Sequence, residues 1–153
     1  MLRMWGQIMY NAVDIARYVI ERCSRQNKTI SNLKLQKILY FIQAEFLIAK
    51  HQPCFAEKIQ AWDFGPVVPE VYYTYRMYGG ANIPCIGKSG VSRLISARDR
   101  EILNGIIDEG MQYSASALVD ITHSQSPWIE AYNRPGYNNE ITTDSIKRYF
   151  GED

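Results

Sequence analysis

The chain reads as mainly α: a compact multi-helix domain around a buried central helix at about 31–50, with a minor antiparallel β element. Three observations predict this. Apolar residues recur at helical spacing in several segments that open on a capping residue. One of those segments, residues 31–50, is apolar nearly all round, as a helix enclosed by others must be. A single short stretch, 59–64, alternates from residue to residue as a strand does. With 46% apolar and 22% charged residues, the 153-residue chain can close one core and is far from the disordered class.

Residues 1–9 show no period and read as an irregular lead-in, with one domain over 10–150. Asn11 offers an N-cap with Asp14 three residues on. Ile15, Val19 and Cys23, flanked by Ala12, Ala16 and Ile20, then form one apolar face as far as Gln26-Asn27. Ser31 caps the central helix. Leu35, Ile38, Leu39, Ile42 and Phe46 line one side of it, and Leu33, Tyr40, Phe41, Ala44 and Leu47 cover most of the other. Lys34, Lys37 and Glu45 are left for water, and Pro53 ends the helix.

The most specific stretch is Ile59 to Gly80, which holds Trp62, Phe64, Tyr72, Tyr73, Tyr75 and Tyr78. Its alternating start predicts a strand over 59–64 that Gly65-Pro66 breaks. Pro69 and Glu70 suit a helix N-terminus, and Gly79-Gly80 supply the stop. Beyond it, Val91, Arg93 and Ile95 alternate with Ser92 and Leu94, so 91–95 is the expected partner strand of 59–64. Ser96 and Asp99 open a further helix to about Met111; Ser114 or Ser116 opens a short one ending at Thr122-His123. Ser126-Pro127 opens another through Tyr132, Asn133 to Gly136 make a turn, and Thr143 caps the last helix to Phe150.

Few groups carry chemistry. His51 and His123 are the available imidazole bases, and neither a Gly-x-Ser-x-Gly elbow nor a Gly-rich cysteine accompanies them. Of a weak hydrolase reading, His123 with Thr122 or Cys54 is the best form. Cys23, Cys54 and Cys85 form no CxxC pair, and with two distant histidines they make no zinc motif, so neither a metal nor a cofactor is expected. Gly87-Lys88-Ser89 lacks the glycine-rich loop of a phosphate binder. Residues 1–50 carry eight Lys/Arg against three Asp/Glu, and 51–153 carry nine against thirteen. This asymmetry suits an acidic partner, but no Lys/Arg-rich block or reading helix points to nucleic acid. No apolar run is long enough for a bilayer and no signal segment is visible, so a cytoplasmic protein is expected.

What remains is a contact surface. Eleven Tyr and three Trp offer large, rigid, amphipathic area that loses little entropy on binding. Trp62, Tyr72, Tyr73 and Tyr78 are the expected partner-binding residues, with Lys34 and Lys37 beside them. Tyr73 and Tyr78 should be exposed, while Trp62, Tyr72 and Tyr75 divide between core and surface.

Three blocks, LKLQKILYFIQAEFL (33–47), AWDFGPVVPEVYYTYRMYGG (61–80) and LVDITHSQSPWIEAY (118–132), resemble the Panacea-domain, SocA-like antitoxins, also described as GepA-like phage-associated proteins. The family motif residues fall on Lys34, Leu35, Gln36, Lys37, Leu39 and Tyr40, then Trp62, Gly65, Pro66, Val67 and Tyr72, then Thr122, His123, Pro127 and Trp128. The resemblance runs from about Tyr10 to Phe150, and it makes Met1–Ile8 look like an extra lead-in or an upstream start. It implies a non-enzymatic antitoxin whose partner is a protein toxin, silenced by direct binding or by delivery to a cellular protease. A phage-associated adaptor or regulator is the alternative.

Overall fold

In a computed structural model, which describes residues 9–151, seven α-helices pack with one small sheet. The helices are α1 (Ala12–Arg25), α2 (Asn32–Lys50), α3 (Pro69–Tyr75), α4 (Ala97–Gly110), α5 (Ala115–His123), α6 (Ser126–Asn133) and α7 (Thr143–Phe150). The expected lead-in lies, apart from Met9, outside the described residues. The mainly α class holds. Helix α2 packs against α1, α3, α4, α5 and α7, and its Leu35, Ile38, Leu39, Tyr40 and Ile42 are wholly buried.

The caps follow the sequence with small shifts. Asn11, Ser31, Ser96 and Ser114 each accept a backbone N–H of the first helical turn. Helix α6 begins one residue after Gln125 rather than after Ser126. Thr142, not Thr143, caps α7 by accepting from Ser145 N.

The β element needs correction. Strand β1 (Ile59–Trp62) does not pair with 91–95, where Val91–Leu94 form a 3-10 turn after Gly90 at φ +78°. It pairs instead with β2 (Gly65–Val67) across a two-residue turn, Asp63-Phe64, and on its other side with β3 (Glu140–Ile141). The Gly-Pro that reads as a strand breaker is itself strand. Gly65 takes φ +111°, which lets the chain reverse at once, and Pro66 stands on an edge strand where its missing N–H does no harm.

Polar groups inside α2 tie flanking loops to the core. Gln43 is buried; its Oε1 accepts from Cys54 N and its Nε2 donates to Phe55 O. At the end of α2, Lys50 Nζ meets Asp99 Oδ1 at 2.6 Å, and the Tyr10 hydroxyl donates to Asp99 Oδ2 at the same distance. Burial opposes the ionised form of Asp99, but these two donors outweigh it and hold the carboxyl below its ordinary value.

Candidate functional site

The polar face of α2 organises the corner formed by β2 and α3. Gln36 Oε1 accepts from Val68 N at 2.8 Å, and its Nε2 donates to Asn32 Oδ1. Asn32 in turn donates to Tyr72 O. At the position after Gln36, Lys37 Nζ donates to Pro66 O at 3.1 Å. The Tyr40 hydroxyl donates to Gln125 Oε1 at 2.8 Å, which fixes the link between α5 and α6. Side chains three and four apart share a helix face, so the Lys-Leu-Gln-Lys-x-Leu-Tyr spacing delivers these contacts from one stripe.

Lys37 contradicts its expected place in water. It is 0% exposed, and burial pushes its ammonium down to about 7. A Cβ on Gly65 would stand 2.6 Å from Lys37 Cε and 2.9 Å from Thr122 Oγ1, so glycine is required here by space as well as by φ. Thr122 is buried, with its hydroxyl donating to Val119 O.

The turn of the β1–β2 hairpin is held by a stack of rings from α5 and α6. His123 lies against Trp128 (centroids 4.1 Å apart) and Trp128 against Tyr132 (4.4 Å, 18° between planes). Each ring bonds the hairpin. His123 Nε2 lies 2.9 Å from Asp63 O, Trp128 Nε1 donates to Trp62 O at 2.8 Å, and the Tyr132 hydroxyl donates to Asp63 Oδ1 at 2.6 Å. Because a carbonyl oxygen only accepts, His123 carries its proton on Nε2. The ring's remaining lone pair is then on Nδ1, and the imidazole is fixed between the hairpin carbonyl and the Trp128 ring.

Above this frame lies a groove of about 910 Å³. Its floor includes Asn32, Gln36, Lys37, Ala61 and Val67. One wall is Trp62, Tyr72, Tyr73 and Arg76; the other is Tyr132 and the 136–139 loop. Trp62 packs edge-on to Tyr72 at 5.0 Å, and Tyr72 edge-on to Tyr73 at 5.4 Å. Tyr73 is 54% exposed, Phe64 67% and Tyr137 88%, so rings line the rim and face water.

The structure thus brings Lys37, Trp62, Tyr72 and Tyr73 to one groove, with Gly65, Pro66, Val67, Thr122, His123, Pro127 and Trp128 in or beneath its frame. Leu35 is plain core. Lys34 is half-buried and does not border the groove, and Tyr78 packs half-buried on the core rather than standing free. Sequence reasoning missed Tyr132, Tyr137 and Arg76. The signal for the loop was present in Pro135-Gly136-Tyr137-Asn138-Asn139, whose turn residues exposed a tyrosine. Asn139 organises that loop by donating to Ala131 O and Arg134 O, while its own carbonyl accepts from Ala61 N. Among the described residues no helix is long and apolar enough to cross a membrane.

Comparison with known proteins matches residues 35–129 to the family described as "Antitoxin SocA-like, Panacea domain". The chain is also 37% identical over 139 residues to Antitoxin SocA of Caulobacter vibrioides (strain NA1000 / CB15N), covering 84% of this chain and 73% of that protein. No solved structure matches it.

Proposed function

Since the chain belongs to the SocA-like, Panacea-domain antitoxin family, we propose that it silences a protein toxin by binding it in the aromatic groove. The observation that carries this reading is the groove's composition. Trp62, Tyr72 and Tyr73 from the 59–80 stretch converge on it with Tyr132 and Tyr137 from the end of α6 and the loop after it, and Tyr73 and Tyr137 stay largely in water. Exposed rings on a rigid frame are the usual anchors of a protein interface, since they bury much area while losing few rotamers. The groove's frame is built from the motif residues themselves, which explains why the three blocks fall on one site.

The role is non-enzymatic in this reading. His123 acts as a clamp on the hairpin in this reading. We place the protein in the cytoplasm, where Cys23, Cys54 and Cys85 stay as thiols. Silencing proceeds either by occluding the toxin or by presenting it to a cellular protease.

Co-expression with the product of the neighbouring gene tests the proposal. The expected result is restored growth and a complex that co-purifies, both lost when Tyr73 and Tyr137 are changed to Ala together. A toxin level that falls while its synthesis is unchanged selects protease delivery over occlusion. Growth rescue that survives the double change contradicts the groove as the binding site.

A further inference from the structure

Among the described residues Lys37 has no carboxylate partner. It is wholly buried, it takes part in none of the salt bridges among the described residues, and its hydrogen bond goes to the neutral carbonyl of Pro66. Buried charges are normally paired, because removal from water is costly and only an opposite charge offsets it. This one forms part of the groove floor. At the rim, Arg76 makes no salt bridge; its guanidinium sits 5.2 Å from the Tyr73 ring. The carboxylate bordering the groove, Asp63, already accepts from Tyr132. Two basic groups outside every salt bridge among the described residues therefore stand with one carboxylate, whose hydrogen-bond donor is a neutral hydroxyl, between aromatic walls. A charge under a poorly polarisable floor is weakly screened and projects its field into the cleft above.

We infer that the groove receives a segment of the partner toxin in which a carboxylate side chain stands beside an aromatic or apolar one. The carboxylate meets Arg76 at the exposed rim and lies in the field of Lys37 beneath the floor, and the apolar neighbour packs on Trp62 and Tyr72. The inference rests on the groove being the toxin site. It adds the chemistry of the occupant, which brings the negative charge that Lys37 lacks among the described residues. Since burial leaves the Lys37 ammonium near neutrality, an arriving carboxylate draws a proton onto it. The charged and titratable groups that line the groove with it are Asp63, Arg76, Tyr72, Tyr73 and Tyr132; from α5 the Thr122 hydroxyl lies beside Gly65, and His123 faces Asp63 O.

Two probes of equal shape test this on the unmodified chain: 3-phenylpropionate and its neutral amide, each at millimolar concentration. Backbone and indole NMR shifts of Gly65, Val67 and Trp62 report occupancy, and the Lys37 Cε shift followed against pH reports its protonation. The expected result is perturbation by the acid with an upward move of the Lys37 titration by about a unit, and at least several-fold weaker perturbation by the amide. Equal response to both, or none to either, overturns the inference. A second arm uses the toxin itself. Lys37→Met keeps the stem's volume and should weaken toxin binding about tenfold. Unchanged toxin binding in Lys37→Met with loss in Tyr73→Ala overturns the charge inference and leaves the groove in place. Unchanged binding in both variants removes the groove itself.

Discussion

Trp128 donates its indole N–H to the carbonyl oxygen of Trp62 across 2.8 Å, joining two motifs that are 66 residues apart in sequence. The bond lies at the centre of the His123–Trp128–Tyr132 stack, and its acceptor is the last residue of β1 before the turn. Trp128→Phe keeps most of the ring and deletes the donor, leaving the Trp62 carbonyl short of a partner. The expected loss is about 1–2 kcal/mol by urea denaturation. Trp128→Ala also empties the stack and should lose roughly 3–5 kcal/mol. Equal stability of Trp128→Phe and the parent chain would show that the bond contributes nothing.

Gly65 is the tightest position of the corner. Adding a methyl forces a side chain onto φ +111° and against Lys37 and Thr122. Strain and overpacking together should destabilise Gly65→Ala by about 2–4 kcal/mol. Gly79→Ala, where nothing lies within 4 Å of the added atom but φ is also positive at +55°, serves as the control with backbone strain alone. It should lose about 1 kcal/mol.

The Lys37 titration has a definite sign. Its folded value, about 7, lies below the ordinary 10.5, so the unfolded chain binds more protons between these limits. The group's contribution to stability therefore rises with pH across that window and is flat below it. Cys23, pushed up to about 11 by burial, acts oppositely at alkaline pH, so the clean readout is a difference. The stability of the parent chain minus that of Lys37→Met should increase from pH 7 to pH 9. A constant difference would mean that the ammonium is solvated.

Thiol accessibility checks the packing independently. Burial holds the Cys23 and Cys54 thiols well above their ordinary range, whereas Cys85 is partly open. In the native protein one thiol per chain should react quickly with an aromatic disulfide, and the other two only after unfolding. Fast reaction of all three would contradict the core.

How much of this was legible beforehand follows from the range of each interaction. Helices α1, α2 and α4 were readable because a cap and an apolar stripe are local features, and Asn11, Ser31 and Ser96 cap as their spacing predicts. The partner of β1 was not, because Gly65-Pro66 favours a break locally and only the packing of β2 on α2 overrides it. Residue type alone assigns Lys37 to water, and nothing in the sequence shows that the Pro66 carbonyl accepts from it. The ring-rich run is visible in the sequence, which leaves Trp62 and Tyr72 between core and surface, yet the facing wall is invisible: Tyr132 and Tyr137 reach the groove through the ring stack and the Asn139-ordered loop. Those are long-range contacts that periodicity does not report.

The claim that the toxin occupies this groove is tested most directly by amide hydrogen exchange of the chain alone and in the purified complex. Protection on complex formation should concentrate in 61–67, 72–76 and 132–139, with α1 and α7 unchanged. Protection confined to α1, α4 or α7, with the groove exchanging as in the free chain, would contradict it.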